Sequence, residues 1–531
     1  METEPENTAL VRRARSQQLG DLLHRSAARD PEKIALVFRG ASDTFRALNT
    51  AVNRAANALA AQGITKGDRV ALLSHNNRTF VVLRFALARL GAVTTPVNFM
   101  LNAEDVAYIL DHSGACAIAA EDALCGIADT ALAALGKADM KRFYIPHAGV
   151  DVAAPWQPVD TLLDHTDDSD VWVDVAPDDP IQMMYTSGTE SRPKGALLTS
   201  SALYAQYVSC IVDGKMTGDA VSLHCLPLFH CAQLDCFLSP DLYLGATSIL
   251  HEKADPADML AAIESERVTK LFCPPTVWIA LLRHPDFDTR DLSSLQAGYY
   301  GAAIMPTAII EELMQRLPNI KLWNFYGQTE MAPIATILQP EEQLSKLGSA
   351  GRPAINVETR IVDDNDQQVA VGEVGEIVHR SPHLILEYYK DTAKTAEAFA
   401  NGWFHSGDLG RFDADGYLYV VDRKKDMVKT GGENVASREV EEMIFHHPEV
   451  AEVAVFGVPH PTWIEAVTAI VVPKAGSTVT VDQLMVYCRE KLAGFKSPKH
   501  IAIVEQLPKN ASGKILKKDL RVEYQGVFDA G

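Results

Sequence analysis

The chain has 531 residues, 47% of them hydrophobic and 22% charged. This is the composition of a folded globular protein and excludes a disordered one; at about 150 residues per domain, the length suggests three or four folding units. Lys and Arg number 49 against 69 Asp and Glu, a formal net charge of −20, so broad binding to nucleic acid or anionic lipid, which needs a cationic excess, is not expected.

The N-terminal METEPENTALVRRARSQQ has no apolar stretch behind its basic residues, so no secretory signal is expected. The most apolar run, 79–97, is broken by Arg84 and Arg89, and no membrane-spanning segment is expected, because spanning takes about 20 apolar residues. Eight cysteines in a chain this long do not make a disulfide framework. A reducing, cytoplasmic location is the expectation.

The first 120 residues alternate in type. Residues 47–63 have apolar residues at helical spacing and stop at Gly63, and 68–76 read as a buried strand. Residues 79–92 read as a helix and 94–98 as a short strand. Residues 102–114 read as a helix with Asn102 as N-cap and Gly114 as stop, and 115–121 as another strand. Alternating strand and helix predict an α/β layer fold with mostly parallel strands. Residues 151–180 hold nine Asp and no Lys or Arg, which reads as a solvated surface connection. A hairpin signal stands at Asp415-Gly416, and a domain boundary is placed at 422–426. Beyond it, 437–447 reads as a helix with Ser437 as N-cap, followed by two strands, a second helix and a third strand. That is a small α+β unit of about 100 residues.

The most informative segment is IQMMYTSGTESRPKGALLTSSAL (181–203). An apolar run leads into hydroxyls, glycines and a lysine, and backbone N–H groups, hydroxyls and Lys charge can cradle phosphates. The string is not GxxxxGK[ST], so it is not a Walker loop, which argues against a P-loop kinase or ATPase. HCLPLFHCAQLDC (224–236) carries His224, Cys225, His230, Cys231 and Cys236 but lacks a CxxC knuckle, and its apolar context reads as core packing and pocket lining.

YTSGTESRPKG (185–195) resembles the phosphate loop of the adenylate-forming enzymes: acyl-CoA synthetases, luciferases and peptide-synthetase adenylation domains. NFYGQTE (324–330) resembles their adenine and magnesium motif and HSGDLG (405–410) their ribose motif. VVDRKKDMVKTGGENV (420–435) resembles the hinge and thioester-forming loop, and PKNASGKI (508–515) the catalytic-lysine motif. The resemblance implies an ATP- and Mg²⁺-dependent acyl-CoA ligase. Its fold would be α/β: a large N-terminal domain (1–421) of two α/β subdomains plus a distorted β-barrel, a hinge (422–426) and a small mobile α+β domain (427–531).

The resemblance also implies residue roles. Thr186, Ser187, Gly188, Thr189 and Lys194 would hold phosphates. Gly301, Ala302, Tyr326, Gly327, Gln328, Thr329 and Lys429 would line the nucleotide site, with Tyr326 stacked on adenine. Asp408 and Arg423 would bind the ribose, and Thr189 and Glu330 the Mg²⁺. Lys514, with Glu330 and Thr329, would serve adenylation. Lys425 matches the hinge position, and Gly431, Gly432, Glu433 and Lys496 would meet CoA. From Gly494 to Arg521 seven Lys/Arg stand against two Asp/Glu, a cationic face, Lys499 included, suited to polyanions. Two unit charges about 4 Å apart interact by roughly 4 kcal/mol at an effective dielectric of 20, so joining a carboxylate to a phosphate is chiefly positioning and charge neutralisation.

The loop departs from the usual Gly-Thr-Thr-Gly at Glu190 and Ser191. Glu190 is expected to point away or to be screened by Arg192 or Mg²⁺. His230 is the gate candidate of the acyl pocket, with Tyr299, Gly301, Ala302 and Ala332 beside the acid. Small residues there suit a medium- or long-chain fatty acid; Tyr299, Tyr300 and Trp278 could instead shape a flat aromatic slot, as in an aryl-acid ligase. Transfer to a carrier protein and a non-catalytic ligand sensor are further alternatives. Self-association as a homodimer is left open.

Overall fold

The computed structural model of the chain describes residues 6–186, 192–303, 305–509 and 515–528. The first layer is an eight-stranded sheet in the order Glu387–Tyr388, Lys194–Thr199, Pro180–Thr186, Val93–Val97, Arg69–Leu73, Ala117–Glu121, Lys141–Ile145 and Gln157–Pro158. Arg69–Leu73 runs parallel to both its neighbours, while Pro180–Thr186 and Lys194–Thr199 form an antiparallel hairpin. Helices fall where the punctuation places them. Asn77 Oδ1 accepts from Phe80 N–H to start Arg78–Leu90, and Asn102 Oδ1 accepts from Asp105 N–H to start Ala103–Ser113. Gly91 and Gly114 end these helices in the left-handed region, at φ +68° and +65°, where a Cβ is disfavoured.

A second, nine-stranded sheet has a parallel centre formed by Thr247–Leu250, Val221–His224, Lys270–Cys273, Ala297–Gly301 and Lys321–Gly327. The two α/β layers share an apolar core. The helix Arg78–Leu90, buried from Phe80 onward, carries both arginines that interrupt the apolar run. Arg84 pairs with Asp235 at 2.6 Å and hydrogen-bonds Gln182 and Tyr207, and Arg89 bonds Asn49, Asn53 and the Gly20 carbonyl. Among the described residues no helix is long and apolar enough to cross a membrane.

The third part of the large N-terminal unit is a four-stranded antiparallel sheet: Glu358–Val362, Gly375–Arg380, Phe404–Phe412 and Leu418–Arg423. A smaller α+β unit follows. Its five strands include the long pair Val450–His460 and Ile464–Pro473, covered by helices Ser437–Phe445, Val481–Lys491 and Lys517–Tyr524 around separate apolar clusters.

Two local expectations are corrected. Ser437 is not the N-cap but the first helical residue, and its N–H donates to Asp422 Oδ2 at 2.6 Å; the capping carboxylate comes from the strand Leu418–Arg423. The Asp-rich 151–180 segment is not simply solvated. Trp156 and Leu162 are buried, Asn53 donates to Asp170 and to the Asp168 carbonyl, and Lys66 pairs with Asp179. Its charges are thereby tied to the helix Phe45–Ala61 and the turn after it.

Two buried histidines make stability depend on pH. His379 contacts the Thr359 hydroxyl; His383 lies between the Ser209 hydroxyl and the Ile334 carbonyl. Burial lowers His379 to about 3, with help from His383, and lowers His383 to about 4. Above about pH 6.5 both states are neutral and nothing is lost. Below it the unfolded chain takes up protons that the native state refuses, until pH nears 4. Each histidine should therefore remove about 1.4 kcal/mol per pH unit. Urea midpoints between about pH 7.5 and 5 should fall for the native chain and fall less steeply for His379→Gln/His383→Gln. Equal slopes would assign the acid sensitivity elsewhere.

Candidate active site

The site forms where the second sheet meets the antiparallel one. The strand Lys321–Gly327 ends at Gly327 and the chain returns as Ile334–Leu338. A Cβ on Gly327 would lie 1.9 Å from the Pro333 carbonyl oxygen, so only glycine permits this reversal. Just before it, Tyr326 Oη donates to Asp408 Oδ2 at 2.6 Å. Asp408 lies opposite Arg423 in the neighbouring strand pair, and its Oδ1 is 3.2 Å from Arg423 Nε. Asp408 is buried, and Oδ1 has no hydrogen bond of acceptable geometry; such an orphan suits an incoming hydroxyl donor. Burial and Asp408 together push the Tyr326 phenol well above its ordinary value. Burial opposes the Arg423 charge, yet Asp408 and Asp426 hold its guanidinium above the usual value.

Thr329 and Glu330 form a short turn after this strand. Tyr388 Oη donates to Glu330 Oε1 at 2.8 Å, and Lys194 Nζ sits 4.4 Å over the Tyr388 ring. Cys231 Sγ contacts the Thr329 hydroxyl at 3.4 Å. Thr186 and Lys194 face each other at the end of the hairpin. The phosphate-loop residues Ser187, Gly188 and Thr189, with Glu190 and Ser191, lie outside the described residues, as does Lys514. Gln328 Nε2 is a second buried polar atom without a partner.

Sequence reasoning missed Tyr388 and Arg438, and read Cys231 only as core packing and pocket lining. Tyr388 lies 58 positions from Glu330, and a plain EYYKD run carries no signal for it. Arg438, in the first turn of helix Ser437–Phe445, donates to the Val420 carbonyl, and its charge is coupled to Asp422, Asp408 and Tyr326.

A small apolar recess lies beside this constellation, lined by His230, Ala232, Gln233, Phe272, Pro274 and Ala302 among others. Ala302 and Ala332 take φ +64° and +65°, left-handed values uncommon for residues with a Cβ. Gly301 and Ala332, two of the small residues expected to give depth, are closed in by their neighbours. A Cβ on Gly301 would lie 2.3 Å from the Phe325 carbonyl oxygen, and Ala332 is fully buried in the core. Tyr299 stands behind the lining, stacked on Trp323 at 4.9 Å with its hydroxyl on the Gly214 carbonyl. Trp278 Nε1 donates to the Tyr299 carbonyl, and Tyr300 bonds Gln343. Of the Cys/His cluster, His224 meets Gln233 at 2.7 Å and faces Asp241, and the three cysteines are buried in the core.

The described contacts of the residues expected to meet CoA, and of Lys429 from the expected nucleotide set, stay within the smaller unit. Gly431 and Gly432 form an exposed hairpin tip at φ +59° and +88°, between Val428–Thr430 and Glu433–Val435. The Lys429 N–H donates to Glu465 and the Gly431 N–H to the Trp463 carbonyl. Lys496 pairs with Glu439 at 2.6 Å, and Lys499 lies over Trp463. Lys425 is exposed in the turn that follows Arg423.

Residues 23–389 match the model of the AMP-binding enzyme family, and residues 439–514 match the AMP-binding enzyme C-terminal domain. The chain belongs to the AMP-binding enzyme family. Among AMP-binding enzymes it is similar to a feruloyl-CoA synthase of Amycolatopsis sp, 38% identical over 96% of this chain and 100% of that protein. An indoleacetate–CoA ligase of Aromatoleum aromaticum is 35% identical, covering 95% and 98%. A long-chain-fatty-acid–CoA ligase, FadD13 of Mycobacterium tuberculosis, is 35% identical over 91% and 93%. The crystal structure of ATP-bound MatB from Rhodopseudomonas palustris superposes with a TM-score of 0.88 at 28% identity, covering 96% of this chain and 99% of that one. This AMP-binding enzyme is an ATP-dependent acid–CoA ligase.

The Asp408 geometry gives a direct expectation. Asp408→Asn keeps the volume but removes the charge and one acceptor. A hydrogen bond to a charged group contributes about 1.5–3 kcal/mol, so kcat/KM for ATP should fall roughly 10- to 150-fold. The KM for the acid should stay within about twofold. ATP titrations at saturating acid, compared with acid titrations at saturating ATP, measure the difference.

Proposed function

We propose that this enzyme activates an aromatic or aryl-substituted carboxylic acid, rather than an extended fatty acid, and transfers it to CoA. The observation that carries the reading is the aromatic residue in the lining of the recess. Phe272 lines it and stacks on Phe237 at 4.3 Å and 14°, and Phe237 in turn meets Tyr299 and Phe325. A lining ring held flat by rings packed behind it suits an aromatic acid, because ring pairs gain about 0.5–1.5 kcal/mol beyond area burial. The similarity to feruloyl-CoA and indoleacetate–CoA ligases points the same way.

In the first step the carboxylate attacks the α-phosphorus of ATP; an O–P bond forms and pyrophosphate leaves. In the second the CoA thiol attacks the acyl carbon; a C–S bond forms and AMP leaves. Asp408 and Arg423 hold the ribose and Tyr326 the adenine, while Thr186, Ser187, Gly188, Thr189 and Lys194 hold the phosphates. Thr329 contacts the α-phosphate, and His230 gates the acid. Glu330 and Thr189 are the groups that would hold Mg²⁺, which would offset triphosphate charge; a carboxylate and hydroxyls suit a hard cation, and Tyr388 already orients the carboxylate. Lys514 neutralises charge between acid and phosphate. Rotation about Lys425, within the 422–426 hinge, then brings Gly431, Gly432 and Glu433 to the thiol path, with Lys429 and Lys496 on the same moving unit.

The test is CoA-dependent AMP release with a hydroxycinnamate, indoleacetate, benzoate, octanoate and hexadecanoate. The best aryl acid should exceed hexadecanoate in kcat/KM by about tenfold or more, the scale of pocket discrimination. Hexadecanoate leading the series would restore the fatty-acid reading, which the small Ala232 and Ala302 in the lining favour. A phosphopantetheinyl carrier protein offered in place of CoA decides the acceptor.

A further inference from the structure

We propose that His75, Glu121 and His147 form a binding site for a divalent transition metal of zinc type, separate from the nucleotide site. Their candidate ligand atoms all lie within 4.8 Å of one another. His75 Nδ1 is 2.7 Å from Glu121 Oε2, and His147 Nδ1 is 3.5 Å from Glu121 Oε1. Two imidazoles and one carboxylate are a ligand set that suits Zn²⁺ and its neighbours and discriminates against Mg²⁺, which takes oxygen donors.

The topology supplies an independent reason. Glu121 is the last residue of Ala117–Glu121, His75 stands two residues beyond Arg69–Leu73, and His147 two beyond Lys141–Ile145. In the sheet, Val93–Val97 lies on one side of Arg69–Leu73, while Ala117–Glu121 and then Lys141–Ile145 lie on the other. The connection leaving Arg69–Leu73 therefore goes one way and that leaving Ala117–Glu121 the other. The cluster sits at the carboxyl ends of the strands at this switch point, where open α/β sheets form ligand crevices.

The site is also braced. Glu121 is fully buried, and its Oε1 accepts from the Ser74 hydroxyl, the His75 N–H and the Asn77 amide. Those donors fix the carboxylate plane and leave Oε2 toward His75. The Asp122 carboxylate accepts backbone N–H groups from His147 to Val150 and so holds the loop that carries His147. Glu252 Oε2 lies 3.3 Å from His147 Nε2, the carboxylate–histidine arrangement that orients a metal-binding imidazole. His75 is about one-third exposed, which gives an ion a way in. Arg39 opposes binding: it lies 3.4 Å from both ring nitrogens of His147 and pairs with Glu252. Its side chain is half exposed but also donates to the His147 carbonyl at 3.3 Å, so binding an ion requires it to give up these contacts. Glu121, Asp122 and Glu252 outnumber this one guanidinium, so the local field still favours a cation.

The His75 ring stacks on Phe99 at 3.8 Å, and Phe99 meets Phe229, the neighbour of the gate candidate His230. A bound ion would stiffen the strand ends behind that gate, as a structural rather than a catalytic group.

The experiment is Zn²⁺ competition against a chromophoric chelator on chelator-stripped, full-length reduced protein, with Co²⁺ absorption as a second probe. One equivalent should bind, with the intense visible bands of low-coordinate Co²⁺. His147→Gln and His75→Gln should weaken binding by about 100-fold or more, and Glu252→Gln by about 10- to 100-fold. Arg39→Gln should tighten it several-fold, a gain that no folding defect can imitate. Absence of binding, or equal affinity in the native chain and all four variants, which would assign the ion to cysteines or elsewhere, overturns the proposal.

Discussion

Lys514→Ala is expected to slow formation of the acyl-adenylate by about 10²–10³-fold, the scale of losing one preorganised charge from a transition state. Thioester formation from supplied acyl-AMP should remain within a few-fold of the native rate, because that step expels AMP and needs no further neutralisation between carboxylate and ATP. The residues flanking this lysine are anchored: Lys509 pairs with Ile515 in an antiparallel bridge, and Lys509 Nζ bonds Glu452. In the proposed mechanism the lysine is delivered by movement of the whole small unit. Lys425→Pro should show the opposite split. Proline locks φ near −65° in the turn that joins Arg423 to the small sheet, so transfer should suffer and adenylation persist. Acid-dependent pyrophosphate exchange measures the first half-reaction, and AMP release from synthetic acyl-AMP plus CoA the second. If both variants lose both halves equally, the two-state use of the small unit is wrong.

Asp235→Ala should destabilise the large unit by about 3–5 kcal/mol, the usual consequence of leaving a buried charge without its partner. Arg84 and Asp235 are fully buried and 2.6 Å apart, with Gln182 and Tyr207 completing the network. Burial opposes the Arg84 charge, but Tyr207 and Asp235 hold its guanidinium above the ordinary value. Asp235 lies in a single π-turn, Leu234–Leu238, directly after Ala232 and Gln233, which line the apolar recess proposed to take the acid. Loss of the carboxylate should therefore also raise KM for the acid while KM for ATP changes little. The double variant Arg84→Met/Asp235→Leu removes both charges and should recover most of the stability. Urea unfolding of the native chain, Arg84→Met, Asp235→Leu and the double variant gives the coupling energy directly. Additive losses would mean that the pair does not set the position of this turn.

The helix boundaries at Asn102 and Gly114 were legible because capping and left-handed stops depend on residues a few positions apart. Ser437 misled for the same reason. Its local sequence satisfies the cap rule, but Asp422, arriving from a neighbouring strand, fills that role. The order of the five motifs carried the family, and the structure joins Tyr326, Asp408 and Arg423 in one hydrogen-bonded and ion-paired group. The room beside Gly301 was not legible, because glycine and alanine show how small a residue is and not what occupies the space beside it. Backbone from Phe325 fills the room next to Gly301.

What the sequence determined by itself was local and ordered: periodicity, caps, turn glycines and short motifs whose chemistry lies within a few residues. The tertiary structure decided which distant groups meet. Tyr388 on Glu330, Asp235 on Arg84, and His75 and His147 on Glu121 are pairings across 58, 151, 46 and 26 positions. No periodicity spans such separations; sheet order and packing of the buried layers bring those side chains together.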